Sequence, residues 1–170
     1  MIIWINGPYG VGKSTLAEKL LEEIHPSFLF DAELVGDAVR GNLPDQLFKE
    51  TYEEFPIWLE FCRRLLQELV SCYEGCVIVP MTLMRTESVE FIIDGLKSSG
   101  VNIKHILLEA STETVRERIL LRGEDEDCWC MQQIEHCEAE QRNMKCDLRL
   151  LANDSSPEKL ADLIVAQINH

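Results

Sequence analysis

Short apolar runs alternate along the chain with longer stretches of helical periodicity. The first run, Ile2 to Ile5, is rich in β-branched residues and closes on Asn6-Gly7-Pro8, as a buried strand ending in a turn does. Leu16, Ala17, Leu20, Leu21 and Ile24 then recur at the spacing of one helix face, with Pro26 just beyond, which predicts a helix over 13–24. The same reading predicts further buried strands at 28–30, 76–79, 103–108 and 148–151. It predicts helices at 33–40, 55–73, 86–98, 112–121, 128–144 and 157–168. Strands that alternate with helices imply an α/β fold with a parallel sheet and right-handed crossovers. Ser156-Pro157-Glu158 supplies a cap, a first-turn proline and an acidic group to the last helix.

The 170 residues, 46% of them hydrophobic, suffice for one core without disulfides or metals, so a single domain over 1–170 is expected. Thirty acidic against sixteen basic side chains give a formal charge of −14, which argues against nucleic acid and anionic lipid as partners. Any binding of a polyanion must therefore be local. The start of the chain has neither a basic segment nor an apolar stretch long enough for a leader or membrane span, so a cytoplasmic location is expected. Seven cysteines, an odd number, read as reduced thiols, most of them small core hydrophobes.

The local cation site is explicit. Gly7-Pro8-Tyr9-Gly10-Val11-Gly12-Lys13-Ser14 fits G-x-x-x-x-G-K-[ST] and falls between a predicted strand and a predicted helix. The glycines let backbone N–H groups converge on a phosphate, and the helix start adds its positive end. Gly7, Gly10, Val11, Gly12, Lys13, Ser14 and Thr15 are the expected ATP contacts, with Lys13 on the β- and γ-phosphates and the Ser14 hydroxyl on Mg²⁺.

What the nucleotide is used for rests on other residues. Asp31 follows the second predicted strand at the sheet edge where ligands collect, placed to take a hydroxyl proton or hold Mg²⁺ through water. Glu33 and Asp37 are near enough to substitute, and Asp31 equally suits the cap of the next helix. The third strand ends Val79-Pro80-Met81-Thr82, without the acidic residue that many P-loop ATPases and GTPases place there. No Asn-Lys-x-Asp sequence occurs, which argues against a GTPase. Thr82 can serve a ligand or an ordinary turn. Arg118 and Arg122 share one helix face before a Gly stop and an acidic stretch, and two arginines there can offset charge during phosphoryl transfer. Arg40 is a candidate clamp for an acidic or polar acceptor, and Trp58 and Trp129 candidates to stack on a ring. Cys128, Cys130 and Cys137 could staple a lid with zinc, although C-x-C is not the usual spacing.

Together these stretches resemble the nucleoside-monophosphate-kinase and shikimate-kinase-like group of P-loop phosphotransferases. Over nearly its whole length the chain is similar to the tunicamycin-resistance ATP-binding proteins. The resemblance is carried by Ile2 to Thr15, Phe30-Asp31, Ala38-Val39-Arg40 with Pro44, and Phe55-Pro56-Ile57-Trp58. Val77 to Thr82, His105 to Ser111, and Trp129 with Gln132 to Cys137 carry the rest. It implies a P-loop NTPase three-layer sandwich, with a five-stranded parallel sheet ordered 2-3-1-4-5 and a small helical lid near 122–132. It also implies a nucleoside-like or sugar-like acceptor. The leading expectation is an ATP-Mg²⁺-dependent kinase for a small hydroxyl compound, with Lys13, Asp31, Arg118 and Arg122 catalytic and Asp31, Arg40, Trp58 and Thr82 on the acceptor. The alternatives are a protein that sequesters a nucleoside antibiotic unmodified and an ATPase switch acting on a protein partner.

Overall fold

A computed structural model describes residues 1–168. Its elements run β1 (Ile2–Asn6), α1 (Lys13–Glu23), β2 (Ser27–Leu29), α2 (Ala32–Arg40), α3 (Pro56–Cys72), β3 (Cys76–Pro80), α4 (Thr86–Val89), α5 (Gly95–Ser98), β4 (Ile103–Glu109), α6 (Thr112–Leu121), α7 (Trp129–Gln141), β5 (Leu148–Leu151) and α8 (Pro157–Ile168). Two short 3₁₀ turns, Asp45–Leu47 and Tyr52–Glu54, punctuate the loop between α2 and α3. The single helix expected over 86–98 is instead α4 and α5 joined by a π-helical turn at Glu90–Asp94.

All five strands are parallel, in the order β2-β3-β1-β4-β5. β1 lies at the centre, with Ile2 opposite Val77 on one side and Ile103 on the other. Its side chains alternate between two apolar layers, as the two-residue repeat of a strand requires. Ile2 and Trp4 join Val77, Val79, Trp58, Cys62, Leu66 and Ile92 on one face. Ile3 and Ile5 join Ile78, Leu16, Leu20, Leu160 and Ile164 on the other, under α1 and α8. Each such aliphatic side chain, fully buried, stabilises the fold by about 1.5–3 kcal/mol. A smaller cluster of Val115, Ile119, Met131 and Ile134 ties α6 to α7.

The outer strands differ from the expectation of buried strands throughout. β2 is a sheet edge, and Phe28 and Leu29 are exposed there. Leu151 of the opposite edge strand is exposed too. All seven cysteines are free thiols. Three rather than most of them are core residues: Cys62, Cys76 and Cys137 are buried, whereas Cys72 is exposed. No helix among the described residues is long and apolar enough to cross a membrane.

Candidate functional site

The central strand delivers the Gly-rich loop to the carboxyl edge of the sheet, where α1 begins. Gly7 has φ +148°, and a Cβ there would stand 2.4 Å from the Leu108 carbonyl oxygen of the neighbouring strand, so glycine alone fits this approach. Gly12, at φ +110°, is the left-handed residue from which α1 starts. Among the described residues no side chain caps that start, and its first turn is free of acidic groups. The first N–H groups of α1 therefore face the cavity with their partial positive charge uncompensated, the arrangement that suits a phosphate.

A cavity of about 600 Å³ opens over this loop, lined by all of Tyr9 to Leu16. The strand order puts Ala152, Ser155 and Pro157, which follow β5, on one side of it and Glu33, Pro80 and Thr82, which follow β2 and β3, on the other, and Arg118, Arg122, Glu124 and Cys130 complete the wall. Lys13 lies between the two sides, half-buried, with Nζ donating to the carbonyls of Pro8 at 2.9 Å and Gly7 at 3.1 Å. Burial lowers its pKa to about 8, the nearby acidic groups only partly opposing the shift. Ser14 and Thr15 are exposed on the cavity floor. Arg118 bridges the P-loop to the far strand end, its two Nη atoms donating to Val11 O at 2.7 Å and Ala152 O at 2.6 Å. Arg122 also lines the cavity and pairs with Glu124 at 2.6 Å.

The structure thus gathers Gly10 to Thr15, Thr82, Arg118 and Arg122 around one cavity, and Thr82 additionally donates its hydroxyl to Gly7 O at 2.9 Å. It does not bring three other expected residues there. Trp58 is wholly buried, with its indole N–H donated to Ala32 O at 2.9 Å and its ring stacked on Tyr52, so it cannot meet a ligand. Arg40 is folded onto its own loop, bonded to Lys49 O and Glu50 O, with its guanidinium 4.3 Å from the Tyr52 ring centroid, so it is not a free clamp. Asp31 caps α2 through Glu33 N at 2.9 Å and is exposed, while Glu33, one of its possible substitutes, lines the cavity wall, as Glu124 does.

Several polar residues around the loop gave little sign of themselves in the sequence. Asn6, wholly buried, accepts at Oδ1 from Gly7 N (2.8 Å), Leu83 N (2.9 Å) and Gln141 Nε2 (3.3 Å), and donates from Nδ2 to Leu83 O (3.0 Å). Its amide also lies 3.3 Å from His105 Nε2, whose pKa burial lowers to about 4, so that ring is neutral at pH 7. A polar residue ending an apolar strand was the only hint of this role. Glu53, buried with its carboxyl pKa raised by that burial, accepts from the backbone N–H groups of Met84 and Arg85 at 2.7 and 3.1 Å. Glu50 receives Trp129 Nε1 at 2.9 Å and Gln133 Nε2 at 3.0 Å, and Trp129 meets the Tyr9 ring edge-on at 4.8 Å. The start of α7 is thereby held to both the α2–α3 loop and the P-loop. Among the described residues no group of three or more His, Cys, Asp or Glu side chains is arranged to hold a metal ion.

A central parallel strand, a glycine cradle at its end and a lysine at the start of the following helix define a P-loop protein of kinase-like fold. The chain belongs to the AAA domain family, which matches it over residues 2–145. It is similar in structure to a Deinococcus radiodurans tunicamycin resistance protein, with 28% identity, a TM-score of 0.81, and 99% of this chain and 95% of that one covered. It also shares its fold with the Mycobacterium tuberculosis APS kinase solved with AMPPNP and APS (17% identity, TM-score 0.68, 99% and 97% covered). The Acinetobacter baumannii shikimate kinase solved with shikimate has that fold as well (19% identity, TM-score 0.64, 99% and 92% covered). No curated protein matches the chain.

Proposed function

We propose that this protein is an ATP-dependent kinase that phosphorylates a hydroxyl of a nucleoside-like or sugar-like small molecule, acting in the cytoplasm as one domain over 1–170. The observation that carries this reading is the cavity itself, which runs past Lys13 from the Ala152–Pro157 end to Glu33 and Thr82. That gives room for a nucleotide on one side of the P-loop and an acceptor on the other. The glycine geometry, the open start of α1 and the exposed Ser14 hydroxyl fit a triphosphate with its Mg²⁺. Bound there, Mg²⁺ would supply charge neutralisation on the phosphates, with Ser14 as its protein ligand.

In this reading the N–H groups of Gly10 and of Gly12 to Thr15 and the Lys13 ammonium hold the phosphates, while Arg118 and Arg122 stand over them from the end of α6. The acceptor oxygen bonds to the γ-phosphorus as the bond to ADP breaks, and the hydroxyl proton passes to Glu33, the carboxylate in the first turn of α2 that lines the cavity. The segment 122–132 serves as the lid that excludes water, with Trp129 and Gln133 on Glu50 and Trp129 against Tyr9 as its contacts.

Mass spectrometry of the protein incubated with ATP-Mg²⁺ and a panel of nucleosides, sugars and tunicamycin tests the reading. Gain of one phosphoryl group by a panel member, lost in Glu33→Gln, is the expected result. Binding of ATP and a panel member with no product would overturn the kinase and favour sequestration.

A further inference from the structure

Charge is divided between the two ends of the cavity, and the division bears on the acceptor, given the kinase reading above. The cations lining the cavity are Lys13, Arg118 and Arg122. Arg118 is fixed to Val11 O and Ala152 O, on the nucleotide side, and Arg122 is neutralised by Glu124. Glu33, Thr82 and Pro80 follow β2 and β3 on the other side, and Cys130 adjoins the Arg122–Glu124 pair, so the charge left uncompensated there is the Glu33 carboxylate. The arginines nearest that end are engaged elsewhere. Arg40 is spent on Lys49 O, Glu50 O and the Tyr52 ring, and Arg85 lies 3.3 Å from Glu54 Oε1.

A site that binds a phosphate, sulfate or carboxylate group needs a fork of donors, usually an arginine free to give two hydrogen bonds. An anionic acceptor here would instead sit between Glu33 and a triphosphate whose charge already engages Lys13 and its Mg²⁺, with no unpaired arginine of its own. We infer that the acceptor is an uncharged hydroxyl compound, and that Glu33 excludes counterparts bearing a phosphate or carboxylate. A nucleoside fits this end and its 5′-monophosphate does not; a neutral sugar fits and its sugar acid does not. The exclusion is electrostatic, since like charges about 5 Å apart near a protein surface repel by enough to change affinity tenfold or more.

Calorimetric titration of matched pairs, uridine with uridine 5′-monophosphate and glucose with gluconate, onto protein loaded with a non-hydrolysable ATP analogue and Mg²⁺ provides the test. The uncharged member of at least one pair should bind at least about tenfold more tightly than its anionic partner. Glu33 is exposed at the first turn of α2, so Glu33→Gln should fold and load nucleotide as the parent does. It should strengthen binding of the anionic members about fivefold or more relative to their uncharged partners. Equal or tighter binding of an anionic member to the parent protein overturns the inference, and the kinase reading survives if phosphoryl transfer is still seen. An unchanged preference in Glu33→Gln overturns the role given to Glu33. Binding of no member of either pair, with no transfer to any panel compound, overturns both readings.

Discussion

Lys13 provides the sharpest quantitative check on the phosphate cradle, because its burial makes nucleotide affinity depend on pH in a predictable way. Burial lowers its pKa to about 8 in the free protein. A triphosphate beside the ammonium restores the charged form, so binding is linked to proton uptake. The sign follows directly: the binding-competent, protonated lysine is abundant below pH 8 and is lost as pH rises through that value. With a pKa of 8, about nine-tenths of the protein carries the ammonium at pH 7 and about one-tenth at pH 9. Apparent affinity scales with that fraction, so the dissociation constant for ATP-Mg²⁺ should rise about tenfold between pH 7 and pH 9. Titration calorimetry at those two pH values measures the change. Repeating the pH 8 titration in buffers of different ionisation enthalpy should reveal uptake of about half a proton. Lys13→Arg, whose guanidinium stays charged throughout, should bind with little pH dependence. An affinity flat from pH 7 to 9, or an equal slope in Lys13→Arg, would refute the assignment of this lysine to the phosphates.

Three further outcomes are expected. Asn6→Leu strands the N–H groups of Gly7 and Leu83 without their acceptor in the core, and should cost about 2–6 kcal/mol in chemical denaturation. Trp58→Ala should destabilise the fold by about 3–5 kcal/mol, as a core tryptophan does, while acceptor KM at a temperature where the variant is folded stays near the parent value. Arg118→Ala removes the bridge between Val11 O and Ala152 O and should weaken ATP binding more than acceptor binding in paired titrations; the reverse order would place Arg118 on the acceptor.

The features legible in the sequence are those written in neighbouring residues. The strand–glycine loop–helix unit at 2–23 announces itself by local pattern, and so does the cap at Asp31, which needs only the helix two residues on. The strand order β2-β3-β1-β4-β5 followed from resemblance to a known architecture and is borne out. What stayed hidden depends on partners far away in the chain. Asn6 finds Leu83 77 residues on and Gln141 135 residues on. The core fate of Trp58 is set by the Ala32 carbonyl, and that of Arg40 by two carbonyls in a loop whose path no periodicity encodes. Edge exposure of β2 was also invisible, since an apolar run looks the same whether one or both of its faces are covered.

The three tryptophans carry a consequence for measurement. Trp4 and Trp58 are sealed at 0% exposure on opposite sides of one apolar layer, whereas Trp129 is 36% exposed and rests its ring edge on Tyr9 of the phosphate loop. Two of the indoles thus emit against a constant background while the third looks into solvent from the start of α7, beside the phosphate loop. Intrinsic fluorescence at the red edge, and energy transfer from Tyr9, become a built-in gauge of opening and closing. Movement of the α7 start relative to the phosphate loop would then register in light without a label.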